Sequence, residues 1–227
     1  VYLPAKEESM PNPKGLPLGE SIQFGWKTVQ ARAAFVVGVT LVAWLVPGII
    51  EWAGEKALDS RLQHFGINVI SYAVSSTFAL GLAKIYLRFR DGEMPIFENL
   101  FDGLARLHIY IAAMMIMGIA VAMGLILLVV PGIIFLLRLW FVGFVVVDEP
   151  VGPLEAIQRS WDITRGHTLD LFLLFLLLVG LNLLGIIALG VGLLITVPMS
   201  GLSLAFVYRH LKPRAVAAPA AQPAPAA

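Results

Sequence analysis

Long unbroken runs of apolar residues recur along most of this chain, and they dictate the solvent it folds in. A hydrocarbon core roughly 30 Å thick takes about 20 helical residues to cross. Six runs read as spans: about Ala33 to Ile50, Phe65 to Leu87, His108 to Val130, Gly132 to Val147, Leu169 to Ile187 and Leu189 to Tyr208. The fourth is short, and the last two are divided only by Gly185, Gly190 and Gly192, so four or five true spans also fit. Because the runs are continuous rather than alternating, a transmembrane β-barrel is excluded. A chain that is 59% hydrophobic and 14% charged has the bilayer as its solvent. The expected fold is an all-α polytopic membrane helix bundle of about six transmembrane helices.

Charge placement sets the orientation. Lys6, Lys14, Lys27 and Arg32 precede the first run; Lys84, Arg88, Arg90 and Arg106 flank the second connection; Arg159 and Arg165 lie in the fourth; Arg209, Lys212 and Arg214 follow the last. All of these fall on one side, and only Lys56 and Arg61 on the other, so an excess of basic residues puts both termini in the cytoplasm. The opening VYLPAKEESMPNPKGLPLGE is polar and lacks the basic-then-apolar pattern of a cleavable signal.

An internal repeat organises the chain. ESIQFGWKTVQARAAF from Glu20 aligns with EAIQRSWDITRGHTLDLF from Glu155, matching Glu20, Ile22, Gln23 and Trp26 to Glu155, Ile157, Gln158 and Trp161. PIFENLFDGLARLHIY from Pro95 has similar patterning. Each precedes two apolar runs, which gives three amphipathic-helix-plus-hairpin repeats at about 19–90, 95–147 and 151–211. They form one transmembrane domain, 19–211, between a polar segment, 1–18, and a low-complexity Ala/Pro tail, 212–227, that reads as disordered. In the second repeat, Phe97, Leu100, Phe101, Leu104 and Leu107 share a helical face; in the third, Leu154, Ile157 and Trp161 do. These helices read as elbows feeding each hairpin, since their polar faces lack the lysines of dedicated lipid binders. Trp26 and Trp161 fit interfacial anchoring. Pro47 and Pro131, each followed by Gly-Ile-Ile, read as hairpin turns or packing kinks, and Pro198 interrupts the last run.

GLAKIYLRFRDGEMPIFENLF, VVPGIIFLLRLWFVGFVVVDEPVGPLEAIQRSWDITRG and GVGLLITVPMSGLSLAFVYRHL resemble the membrane domain of bacterial glycerophosphodiester phosphodiesterases and its uncharacterised stand-alone relatives. The resemblance runs from about Leu80 to Leu211 and is carried by the Pro-Gly-Ile turn, Asp148-Glu149, and Ala156, Arg159, Ser160, Thr164 and Gly166. It implies a multispanning domain of the bacterial inner membrane, mostly without assigned activity. It imports no phosphodiesterase chemistry, because the catalytic domain of that family is separate.

Few residues carry chemistry. Arg138 is a charge inside a span, so it needs a partner: Glu51, Glu55, Asn182 or a lipid phosphate, with bonding to carbonyls at a kink as the structural alternative. Lys84 and Arg88, one helical turn apart, are expected to snorkel to headgroups. Asp148 and Glu149 end the fourth span, where an ion pair to Arg159 or Arg165 at a helix boundary is favoured over acid-base or cation chemistry. The histidines lack metal-site spacing, no cysteine is present, and Ser75, Ser76, Thr77 and Ser200 have no evident base, so no catalytic residue, cofactor or metal is expected. Nucleic-acid binding lacks a basic patch with interleaved aromatics. The expected function is a scaffold, accessory or partner-binding subunit, not an enzyme. The alternative is a transporter or lipid-handling protein using the bundle interior around Arg138. Beyond the bilayer itself, the partners left open are a protein, a second copy of the chain, or an anionic lipid.

Overall fold

A computed structural model describes residues 15–57, 61–188 and 190–212. Most of the expected polar segment (to residue 14), the Ala/Pro tail from residue 213, and Lys6, Lys14 and Arg214 lie outside the described residues. Among the described residues the chain is helical throughout, with no strand. In order it forms α1 (Leu18–Ala31), α2 (Ala33–Ala57), α3 (Arg61–Arg90), two short 3-10 turns (Phe97–Phe101 and Leu104–Arg106), α4 (Leu107–Leu127), α5 (Val129–Arg138), α6 (Val142–Asp148), α7 (Pro153–Ile163), α8 (Thr168–Ile187) and α9 (Leu193–Leu211).

By length and composition, five helical stretches are able to cross a membrane: Ala33–Lys56, Gln63–Arg90, Phe97–Ile126, Val129–Asp148 and Thr168–Ile187. Their outer faces expose large apolar side chains, among them Leu45 and Ile49 on α2, Met115, Ile119 and Met123 on α4, and Leu173, Leu177 and Leu184 on α8. Water would penalise so much contiguous apolar surface, whereas lipid tails solvate it. The sixth expected run becomes α9, which is not among these five, its apolar run diluted by Thr196, Pro198, Ser200, Ser203, Arg209 and His210. Its neighbours explain why that is tolerated. α1, α2, α3 and α8 all pack on it, and nearly everything from Pro198 to Tyr208 is buried against them.

Close backbone approach holds the packing. α1 runs antiparallel to α9: the Ser203 hydroxyl donates to the Ser21 carbonyl at 3.0 Å, and a Cβ added at Gly25 would sit 2.6 Å from the Met199 carbonyl oxygen. At Gly81 of α3 a Cβ would overlap the Leu100 carbonyl, so that glycine lets the 3-10 segment lie directly on the helix. Between α8 and α9, Asn182 donates to the Ser200 hydroxyl at 3.0 Å and accepts from Thr196 at 3.0 Å, a small polar clasp in an otherwise apolar contact.

Three expectations are corrected. Pro47 makes no hairpin turn: α2 runs through it to Ala57, with the Pro47 carbonyl accepting from the Ser71 hydroxyl at 3.2 Å. The second elbow is not one amphipathic helix but two 3-10 turns, with Leu100 and Asn99 buried and Phe97, Phe101 and Leu104 exposed. Asn99 stabilises this shape, its side chain accepting from the Ile96 N–H at 2.9 Å and donating to Asp102 at 3.0 Å. The fourth run is not one continuous helix either. It breaks at 139–141, because the Arg138 carbonyl accepts from Ser160 at 2.8 Å and Thr164 at 3.3 Å on the neighbouring α7 segment instead of continuing the helical ladder.

Candidate functional site

One end of the bundle gathers the charges. α3 ends at Arg90, α6 at Asp148 and α9 at Leu211, and each hands its acidic or basic terminal residues to the next. Asp148 is the centre: its Oδ2 accepts from the Tyr208 hydroxyl at 3.0 Å, Arg209 Nη1 at 2.8 Å and Lys212 Nζ at 2.5 Å. Arg209 turns its other edge on Asp91 in a two-point contact at 2.9 and 2.6 Å. Lys212 also reaches Glu149 at 2.8 Å, and Glu149 pairs with Arg159 at 3.7 Å. The Asp148 carboxylate is only 11% exposed, which sets this cluster apart from ordinary surface pairs.

The negative end of α6 is covered by cations. Arg106 Nη1 donates to the Val146 carbonyl at 2.6 Å and to the Glu149 carbonyl, and Lys84 Nζ donates to the Val147 carbonyl at 3.4 Å. These side chains satisfy helix-end carbonyls and oppose the helix dipole at once. Arg88 lies 3.8 Å from both Glu93 and Asp102. Lys84 and Arg88 are thus engaged by protein groups rather than held out toward headgroups. Burial pushes the Lys212 ammonium toward an easier loss of its proton, but its bonds to Asp148 and Glu149 outweigh this and it titrates above its ordinary range. Its contribution to stability is therefore fully present at neutral pH.

The second place of interest is Arg138, halfway along Val129–Asp148 at the end of α5. Its guanidinium carbon lies 4.4 Å from the centre of the Trp161 ring, and Nε points to the Thr168 hydroxyl at 3.4 Å. Trp161 packs its ring against Phe135 at 5.4 Å as well, so it is wedged between helices, whereas Trp26 stands 45% exposed on α1. Neither Glu51 nor Glu55 meets Arg138, and Asn182 is spent on the α8–α9 clasp. Next to Trp161 opens a cleft of about 330 Å³, lined by Ala120, Phe135, Leu139, Ile157, Gln158, Trp161 and Asp162.

Of the residues singled out in the sequence, Asp148 and Glu149 join one network, and Arg138 and Trp161 join another. The Glu149–Arg159 pair is as expected, while Arg165 takes no part in it. Sequence reasoning missed Tyr208, Arg209 and Lys212 as partners of Asp148, and Asp91 as the second acceptor of Arg209. No local spacing announces them, because 60 or more residues separate Asp148 from its donors Tyr208, Arg209 and Lys212. Among the described residues, no group of three or more His, Cys, Asp or Glu side chains is placed to hold a metal ion.

No curated protein and no solved structure matches this chain. Nothing found links it to the membrane domain of glycerophosphodiester phosphodiesterases. Residues 104–215 match the family described as Protein of unknown function (DUF975), a stretch that takes in Arg106, Arg138, Asp148, Glu149, Trp161, Arg209 and Lys212.

Proposed function

We propose that this chain is a non-catalytic scaffold, accessory or partner-binding subunit of a bacterial inner membrane, with both ends of the chain in the cytoplasm. The observation that carries this reading is the charged network. It ties the ends of α3, α6 and α9 and the start of α4 into one cross-braced plate, through Asp91, Arg106, Asp148, Glu149, Arg209 and Lys212. A plate of this kind holds the flanking elements in fixed relation, and exposed apolar side chains stand on elements that pack against α3, α6 and α9: Trp26 on α1, Phe97 and Phe101 on the first 3-10 turn, and Leu154 on α7. A braced polar centre on elements that also carry exposed aromatic and aliphatic anchors suits the docking of a protein. The basic residues near this end support its cytoplasmic placement.

The test is extraction of the protein from its native membrane directly into nanodiscs, followed by native mass spectrometry. A stoichiometric companion, either another protein or a second copy of the chain, is expected, and its recovery should fall in D148N. A solitary chain under every mild condition would overturn the reading.

A further inference from the structure

Arg138 is, among the described residues, a cation without a counter-ion. Among the described residues no carboxylate lies within ion-pair distance of it, and Nε is the one guanidinium nitrogen that meets a protein oxygen, the Thr168 hydroxyl at 3.4 Å. The Trp161 ring stabilises the charge from one face, at 4.4 Å. That leaves Nη1 and Nη2 with their hydrogens uncommitted, halfway along a segment long and apolar enough to span a membrane. An arginine within a membrane-spanning segment is costly unless an anion or water reaches it. Asp162 borders the adjoining cleft but stands beyond ion-pair reach of the guanidinium.

The cleft supplies what an isolated charge would not. Ala120, Phe135, Leu139 and Ile157 give it apolar walls, Trp161 is shared between cleft and guanidinium, and its volume of about 330 Å³ suits several methylenes of an acyl chain. Phe135 and Leu139 also flank Arg138 on the same stretch of chain, one turn before it and immediately after it. A planar cation with uncommitted N–H groups, beside a largely apolar slot whose polar rim is Gln158 and Asp162, matches one occupant by charge and by shape. We infer that Arg138 holds the phosphate of an anionic phospholipid, one of whose acyl chains lies in the cleft beside Trp161. This inference stands apart from the docking reading, since it requires no protein partner and its failure would leave that reading intact.

Trp161 lines the site, so it is its own reporter. In a variant whose only tryptophan is Trp161, with Trp26, Trp44, Trp52 and Trp140 changed to Phe, quenching is measured in vesicles containing acyl-brominated phosphatidylglycerol or acyl-brominated phosphatidylcholine. Saturable quenching with about a fivefold preference for phosphatidylglycerol is expected, the size of one cation's attraction for an anionic lipid. The preference should disappear in R138Q, persist in R138K, and disappear in A120F, which closes the cleft from α4 while leaving the guanidinium in place. R138Q keeps the backbone carbonyl that Ser160 and Thr164 bind. If R138Q nevertheless misfolds by size-exclusion chromatography, A120F decides alone. Equal quenching by the two lipids, or a preference that survives both R138Q and A120F, would sink the inference. Displacement of the lipid by excess inorganic phosphate would also overturn it, by assigning the anion to a free source.

Discussion

Replacing Asp148 by asparagine keeps the shape of the side chain at the centre of the charged plate and removes its charge. Three donors converge on that carboxylate, from Tyr208, Arg209 and Lys212, at 3.0, 2.8 and 2.5 Å. Removing one member of a buried pair costs about 3–5 kcal/mol when the other is stranded, and a hydrogen bond to a charged group contributes about 1.5–3 kcal/mol. Here neither cation is stranded: Arg209 keeps Asp91 at 2.6 Å and Lys212 keeps Glu149 at 2.8 Å. The expected loss in D148N is therefore near the lower figures, about 2–3 kcal/mol. D91N removes the other acceptor of Arg209, but that carboxylate is 37% exposed and its loss should cost less than about 1 kcal/mol. At roughly 2–4 °C per kcal/mol for a chain of this size, D148N should lower the unfolding midpoint by about 4–12 °C and D91N by less than about 4 °C. Thermal unfolding in nanodiscs of fixed lipid composition, followed by helical circular dichroism, measures both. If D148N loses no more than D91N, the network is a surface decoration and the argument from burial is wrong.

Gly81→Ala drives a methyl into the Leu100 carbonyl, so it should destabilise by about 1–3 kcal/mol and expose the 3-10 segment to proteolysis before the rest of the chain. Asn182→Leu removes the clasp between α8 and α9, yet interhelical hydrogen bonds in membranes average about 0.6 kcal/mol, so its midpoint should move by no more than about 3 °C in the same assay. Because the chain has no cysteine, single-cysteine variants report sidedness without background. A cysteine at Glu93 should be protected from an impermeant maleimide in intact spheroplasts and one at Gly190 labelled; the reverse pattern would invert the orientation.

Apolar run length was enough to find the helices of α2, α3, α4 and α8, because crossing a bilayer demands little else of a sequence. It failed where tertiary bonds decide backbone geometry. Nothing in Leu139-Trp140-Phe141 signals a break: the competitor for the Arg138 carbonyl is the hydroxyl pair Ser160 and Thr164, more than 20 residues away. Pro47 errs in the opposite sense, as a punctuation residue that the bundle overrides. On α7 the apolar stripe Leu154, Ile157 and Trp161 was partly legible: Ile157 and Trp161 pack on the core, but Leu154 is exposed and the most deeply buried positions are the small residues Ala156 and Ser160. The Glu149–Arg159 pair was legible because its members sit ten residues apart across one turn. The partners of Asp148 were not, since only folding brings the end of α9 to the end of α6.

The placement of α9 bears on how the protein is made. It is the last of the described helices to leave the ribosome, yet it is the one around which α1, α2, α3 and α8 close. Until it arrives, the earlier helices have a vacant centre, and Asp148 awaits the two cations that neutralise it. Its serines, threonine and internal proline weaken its own partition into lipid, so its entry is expected to lean on the slot that the earlier helices wall.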